Sequence, residues 1–202
     1  MFTVLTLFKE VYYMKNNYHK ENLKENILIL TVKIIKEEGY QSVSVRKIAN
    51  HLDVSPTAIY RHYNSLEELF TQAIVSVSHE FTNLLKTSLK GCQISPTQEI
   101  ATVGVCFVNY ATTSKNEFDF LFLSNYSLKN VSLNHKSDYP LILFMDSIIN
   151  QAIKENNFKY SKEILFNQLW CFIFGYAVLV SKKQIELNEE LIDATVKSFL
   201  TR

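Results

Sequence analysis

Between residues 23 and 90, apolar residues return at helical intervals, and short polar breaks divide them into segments. Leu23, Ile27, Leu30 and Ile34 recur at spacings of four, three and four, with Lys24, Glu25, Lys36 and Glu37 between them. That is the stripe of an amphipathic helix. Gly39 predicts its end, since glycine adopts a left-handed cap at no steric cost. Ser44 predicts the N-cap of a second helix over 45–52, with Val45, Ile48 and Leu52 on one face. Asp53 marks a tight turn. Ser55 then caps a third helix over 56–63, with Ile59 and Tyr63 facing inward; Pro56 stands at its first position, where a missing N–H costs nothing. Ser65-Leu66-Glu67-Glu68 has the form of a capping box and opens a helix that runs past Leu85 before Gly91.

The remainder reads the same way. Ser95-Pro96-Thr97-Gln98 is another N-terminal box, opening a helix towards Ala111. A short helix begins at Asn116 or a neighbour and runs through Leu123; the polar stretch 125–138 predicts a loop. Further helices are expected over 139–156, with Pro140 near the start, over 161–181, and over 189–200, capped by Asn188. From Leu165 to Val180 the chain is apolar nearly all round, which predicts burial on all sides. Periodicity alone does not sort its residues between a core and a contact with a second copy.

Composition narrows the class. In 202 residues there are only 4 Gly and 3 Pro, against the roughly 12% these two supply in average proteins. Sandwiches and barrels, which need such residues in frequent turns, are excluded, and an all-α fold is left. Cys92, Cys106 and Cys171 have no disulfide or zinc spacing, so they are expected to be small buried hydrophobes in a reducing cytoplasm. No metal site and no cofactor is predicted. No apolar run is read as reaching the ~18 residues of a membrane span, and Met1 to Phe8 lack the basic region and cleavage site of a signal peptide. Residues 1–17 form an N-terminal arm or extension, and the true start is either Met1 or Met14.

Charge is uneven. Residues 14–64 carry eight Lys or Arg against five Asp or Glu, together with His19, His51 and His62, in a chain whose formal net charge is +1. The surplus coincides with the helix pair 45–52 and 56–63, whose short lengths and tight turn make a helix-turn-helix. A basic surplus there suits phosphate.

The order of residues in this region resembles the DNA-binding domain of TetR (tetracycline-repressor-like) transcriptional regulators. The matching residues are Tyr18-His19-Lys20-Glu21-Asn22-Leu23, Glu38-Gly39-Tyr40, Ser42-Val43-Ser44-Val45-Arg46-Lys47-Ile48-Ala49, Leu52-Asp53-Val54-Ser55, Ala58-Ile59-Tyr60-Arg61-His62-Tyr63 and Ser65-Leu66-Glu67-Glu68-Leu69. Trp170, Phe174 and Gly175 resemble the Trp…His-Gly signature of one C-terminal subgroup, with Phe174 in place of the His. Tyr110-Ala111 and the run Asn116 to Phe122 resemble a further stretch of that subgroup, with Asn116 where Pro is usual. Leu66 stands where the family usually has a phosphate-binding Lys, and Asp53 replaces a common turn Gly. The resemblance implies a helix-turn-helix domain over 18–64, an effector-binding and dimerisation domain over 65–202, and a homodimer built from the last two long helices. It also implies a regulator, read here as a repressor, acting on a palindromic operator in double-stranded DNA.

The second helix of such a pair lies in the major groove. The residues of 56–63 not required by a core are Pro56, Thr57, Ala58, Tyr60, Arg61 and His62. Thr57 offers a hydroxyl and a methyl to base or phosphate. Ala58 is small and permits close approach. Arg61 takes a guanine bidentately, holds a phosphate, or is a solvated salt-bridge residue. By analogy with the family, Tyr60 and His62 hold backbone phosphate; the alternative for each is a plain surface role. Ser44 presents its hydroxyl and helix-end amides to a phosphate while capping, and Lys47 is either a second phosphate clamp or a solvated helix charge.

The C-terminal half is rich in aromatics. Phe107, Tyr110, Phe122, Phe144, Phe166, Trp170 and Phe174 are candidates to line a site for a small hydrophobic effector, which the resemblance implies; the alternative for each is ordinary core. The chain lacks H-E-x-x-H, G-x-S-x-G, P-loop and G-x-G-x-x-G patterns, and no catalytic residue is predicted. His135 stands alone in the polar stretch 125–138. The competing readings are a helical dimeric binder or adaptor without effector control and, further off, an enzyme with a hydrophobic substrate.

Overall fold

The computed structural model describes residues 22–126 and 140–201. The expected arm over 1–17, the alternative start at Met14, most of the predicted loop 125–138 and His135 lie outside the described residues.

The chain divides into two compact units, residues 1–73 and 74–202. In the first, α1 (Leu23–Glu38) is followed by a 3-10 turn (Tyr40–Ser42), α2 (Val45–Leu52), α3 (Pro56–Tyr60) and the opening turns of α4 (Leu66–Ser88). Their apolar faces converge on Ile27, Ile35, Ile48, Ile59 and Leu69, each 1% exposed or less. Burial of such side chains stabilises by about 1.5–3 kcal/mol each. Gly39 ends α1, with a correction to the expected cap. Its φ of 85° is positive, but its ψ of 156° is extended rather than left-handed helical. The chain therefore leaves sharply into the 3-10 turn, while the Gly39 N–H still donates to the Ile35 carbonyl at 3.0 Å.

The second unit holds the rest of α4, α5 (Pro96–Thr113), α6 (Lys115–Phe118) running into a π turn (Asp119–Leu123), α7 (Pro140–Asn156), α8 (Lys162–Ser181) and α9 (Glu189–Leu200). Among the described residues all elements are helical. α5 is central and packs on α7, α8 and α9. Side chains seed the helix starts. Ser95 Oγ accepts from the Gln98 N–H at 3.3 Å while Gln98 Oε1 accepts from the Ser95 N–H at 3.0 Å. Ser161 and Asn188 cap α8 and α9. Two polar clasps hold α7. Glu155 accepts from the Thr97 N–H and hydroxyl, and Asp146 pairs with Lys162 at 2.5 Å.

Three expectations are corrected here. Cys92 and Cys171 are exposed and Cys106 is half-buried, because Cys92 lies in the turn after α4 and Cys171 on the outward side of α8. The run 165–180 is not buried all round within one chain. Ile164, Asn167, Cys171, Gly175 and Leu179, spaced three and four apart, form an exposed stripe, while Leu165, Phe166, Leu169, Tyr176, Ala177 and Val180 are buried. Finally, α8 is long and apolar enough to cross a membrane by length and composition. Isolated polar residues such as Asn167 and Gln168 interrupt the run but do not offset its hydropathy. A helix walled by neighbours on several sides needs the same apolarity.

Candidate nucleic-acid interface and internal cavity

In the first unit, α2 and α3 are joined by residues 53–55. Asp53 has φ 52° and ψ 46°, the left-handed conformation that Asp tolerates better than most residues. Its turn closes through the Val54 N–H, which donates to the Ala49 carbonyl at 3.0 Å. Ser55 Oγ then accepts from the Ala58 N–H at 3.3 Å and fixes the start of α3. The helix is shorter than the expected 56–63. It stops at Tyr60 because the Ile59 carbonyl accepts from both the His62 and Tyr63 N–H groups, at 3.0 and 3.1 Å. That tightened turn sends Tyr63 inward, where it is 3% exposed. Its hydroxyl donates to the Lys24 carbonyl at 3.1 Å, and burial, then the Glu68 carboxylate, raises its phenol pKa.

With Ile59 and Tyr63 as anchors, the remaining face of this segment is left outward. Pro56, Thr57 and Arg61 are exposed, Tyr60 is 52% exposed, and Ala58 and His62 are half-buried. Arg61 makes no ion pair among the described residues. Ser44 is exposed, and its Oγ accepts from the Lys47 N–H at 3.2 Å. Lys47 is engaged within the fold: its ammonium lies 2.5 Å from Glu38 Oε2. The neighbouring Arg46 is exposed and was missed by sequence reasoning. The signal was present, since the stripe Val45, Ile48 and Leu52 puts Arg46 and Asn50 on the opposite side of α2. The predicted capping box at Ser65 forms in altered shape. Ser65 Oγ accepts from the Glu68 N–H at 3.1 Å, but Glu68 turns back to the Asn64 N–H and side-chain amide, each at 2.8 Å.

The second unit has a partly open cavity of about 60 Å³ between α4, α5, α7, α8 and α9. Of the seven aromatics expected at a ligand site, Phe107, Phe166 and Trp170 line it. Tyr110, Phe122 and Phe174 belong to the adjoining aromatic cluster: Tyr110 lies 4.3 Å from Phe81, Phe122 5.2 Å from Phe107, and Phe174 5.6 Å from Trp170, centroid to centroid. Phe144 lies elsewhere on α7, with the Lys86 ammonium 5.9 Å from its ring centroid. Burial, reinforced by Glu117 and Glu80, pushes the Tyr110 phenol far above its ordinary pKa, so it stays protonated. Most of the wall is aliphatic, including Leu85, Ile100, Val103, Ile142, Met145, Ile149, Ile173 and Ile192. Selecting aromatics alone passed over these residues, and their spacing does not distinguish a cavity wall from core. Among the described residues no cluster of His, Cys, Asp or Glu suits a metal ion.

Residues 27–73 match the family described as bacterial regulatory proteins, tetR family. No curated protein matches the chain. Its fold is similar to a putative TetR-family transcriptional regulator from Vibrio parahaemolyticus, with a TM-score of 0.59 at 19% identity over 88% of this chain and 96% of that one. It is likewise similar to a TetR-family transcription regulator from Marinobacter aquaeolei VT8, with a TM-score of 0.61 at 15% identity over 89% and 94% of the two chains. A third similar structure is the multidrug binding protein EbrR complexed with imidazole, at a TM-score of 0.56 and 12% identity over 90% and 96%. At these identities the likeness is one of fold.

Proposed function

We propose that the chain, whose residues 27–73 match the tetR-family model, is a DNA-binding transcriptional regulator of that family and a repressor, whose homodimer holds a palindromic operator until a small hydrophobic effector enters the second unit. The observation that carries this reading is the division of labour on α3 and the residues after it. Ile59 and Tyr63 are sunk in the core at 1% and 3% exposure, while Thr57, Tyr60 and Arg61 stand outward. A helix held in this way presents side chains to base edges in the major groove. Thr57 and Arg61 face the bases; Pro56, Ala58, Tyr60 and His62 complete the contact surface, and Ser44 at the start of α2 meets a phosphate. Lys47 joins the contact only by exchanging Glu38 for a phosphate, and Arg46 is the readier cation on that helix.

The exposed stripe of α8 supports pairing of two copies, which one short recognition helix needs in order to read enough base pairs. The cavity supports the effector, as does the likeness to a multidrug binding protein, which is a likeness of fold. A regulator of this kind works where the chromosome is, in the cytoplasm, and needs no catalytic residue or cofactor.

Fluorescence anisotropy on duplexes from the DNA flanking the protein's own gene tests the reading. A complex confined to duplexes carrying an inverted repeat, weakening steeply with salt, is expected. Equal affinity for every duplex, or no complex at low salt, refutes it. Binding that no effector candidate relieves leaves a constitutive binder.

A further inference from the structure

We infer that Cys92 and Cys106 form a redox pair, which hydrogen peroxide closes into a disulfide across the hairpin of α4 and α5. Neither cysteine belongs to the cavity wall or to the exposed stripe of α8, and the chemistry of the pair is independent of the regulatory reading above. Fourteen positions separate the two in sequence, and the fold brings both to Ser88, the last residue of α4. Cys92 Sγ lies 3.9 Å from the Ser88 carbonyl oxygen. The Cys106 thiol shares a hydrogen bond with the Ser88 side chain.

A disulfide needs its Cα atoms about 4.4–6.8 Å apart. The remaining approach falls to the turn between the helices, because residues 89–95 lie outside α4 and α5. Gly91, Cys92 and Gln93 are exposed. Gly91 has φ 82°, and the space that a side chain would fill there is open. The turn therefore carries Cys92 towards α5 without displacing packed side chains.

Exposure sets the order of the steps, since Cys92 is exposed and Cys106 is half-buried. Redox-sensing thiols are accessible and stand beside a resolving thiol. The Cys92 thiolate attacks one peroxide oxygen, the O–O bond breaks, and the leaving hydroxide takes up a proton and departs as water. Cys92 is then a sulfenic acid. The Cys106 sulfur attacks the Cys92 sulfur, the S–S bond forms and the S–O bond breaks. The hydroxide released takes the Cys106 proton and leaves as the second water. Two thiols have lost two electrons to one peroxide, which is reduced to two waters. Burial, which raises the Cys106 pKa, makes the second step the slower one at neutral pH. In a reducing cytoplasm the pair rests as thiols and bridges only while oxidant is present.

Peptide masses test this directly. The reduced intact chain is treated with hydrogen peroxide, quenched with N-ethylmaleimide and digested without reductant. Residues 91–115 form one tryptic peptide holding both cysteines, since no Lys or Arg lies between Lys90 and Lys115. That peptide should lose the mass of two hydrogens and take up no maleimide. Cleavage after Glu99, its single acidic residue, should leave two halves joined until dithiothreitol is added. Cys106→Ser should stop the chemistry at a Cys92 sulfenic acid that dimedone traps; if this variant fails to fold by circular dichroism, Cys106→Ala serves in its place. Cys92→Ser should abolish the bridge, and Cys171→Ser should leave it unchanged. Disulfides formed only between chains, a bridge to Cys171, or a 91–115 peptide that never loses two hydrogens while Cys92 oxidises further overturns the assignment.

Discussion

Arg61 gives the sharpest test of the proposed interface, because its replacement leaves the core alone. It is exposed, makes no ion pair among the described residues, and follows a helix anchored by Ile59. Unfolding midpoints of Arg61→Ala and Arg61→Lys should therefore match the parent within about 0.5 kcal/mol, as for other surface changes. The effect belongs to binding. A bidentate contact to guanine is worth about 1–3 kcal/mol, or roughly 5- to 150-fold in affinity at 1.4 kcal/mol per decade. With two copies on one operator the exponents add, giving about 2–6 kcal/mol. The lysine variant decides what Arg61 touches. If it reads guanine, Lys loses the fork geometry and falls towards Ala. If it holds phosphate, Lys retains most of the affinity, while Ala weakens all duplexes alike and lowers the slope of log K against log salt by about 1 per copy. Anisotropy titrations at four or more salt concentrations measure both quantities. An Arg61→Ala protein with unchanged affinity and slope removes Arg61 from the interface and refutes the assignment of this face.

Other outcomes follow from particular contacts. Glu38→Gln should release Lys47 and tighten binding to all duplexes a few-fold; its cost in stability, read from urea midpoints, should stay within the roughly 0–1 kcal/mol of a surface ion pair. Tyr176→Phe removes a buried hydroxyl that accepts from the Asn188 N–H at 2.7 Å and donates to the Glu186 carbonyl at 3.0 Å. A loss of about 1–3 kcal/mol is expected at fixed protein concentration, and a loss below about 0.5 kcal/mol would contradict the role of that hydroxyl in holding α9 to α8. Burial raises the Cys106 thiol pKa, only partly offset by a hydrogen bond with Ser88. At neutral pH iodoacetamide should therefore modify the exposed Cys92 before Cys106 in mass spectra, and the Cys106 rate should still be climbing above pH 9, because its thiolate forms later than an ordinary one.

Much of the fold was legible because its starts are chemical. Ser44, Ser55, Ser95, Ser161 and Asn188 each stand where a backbone N–H needs an acceptor, and each caps a helix. The inward Ile59 and Tyr63, and therefore the outward Thr57 and Arg61, were readable from the same spacing. What escaped was decided in three dimensions. The partner of Lys47 lies nine residues back, across a turn, on Glu38. The end of α3 depends on one carbonyl shared by two donors, which no propensity encodes. The cavity wall escaped because a residue beside a void and a residue in the core have the same character and spacing. The exposure of Cys171 depended on which side of α8 faces its neighbours, in a helix whose pattern has no preferred side.

Asp53 has a consequence beyond shaping the bend between α2 and α3. It is exposed, and it places a carboxylate beside the helix proposed to approach a polyanion. Its charge subtracts from the attraction the domain feels for any stretch of nucleic acid, whatever the bases. Because that term is blind to sequence, it weakens every complex alike and leaves the choice among sites to the bases that meet Thr57 and Arg61. A glycine would make the same bend without that charge and hold operator and bulk nucleic acid more tightly by the same factor.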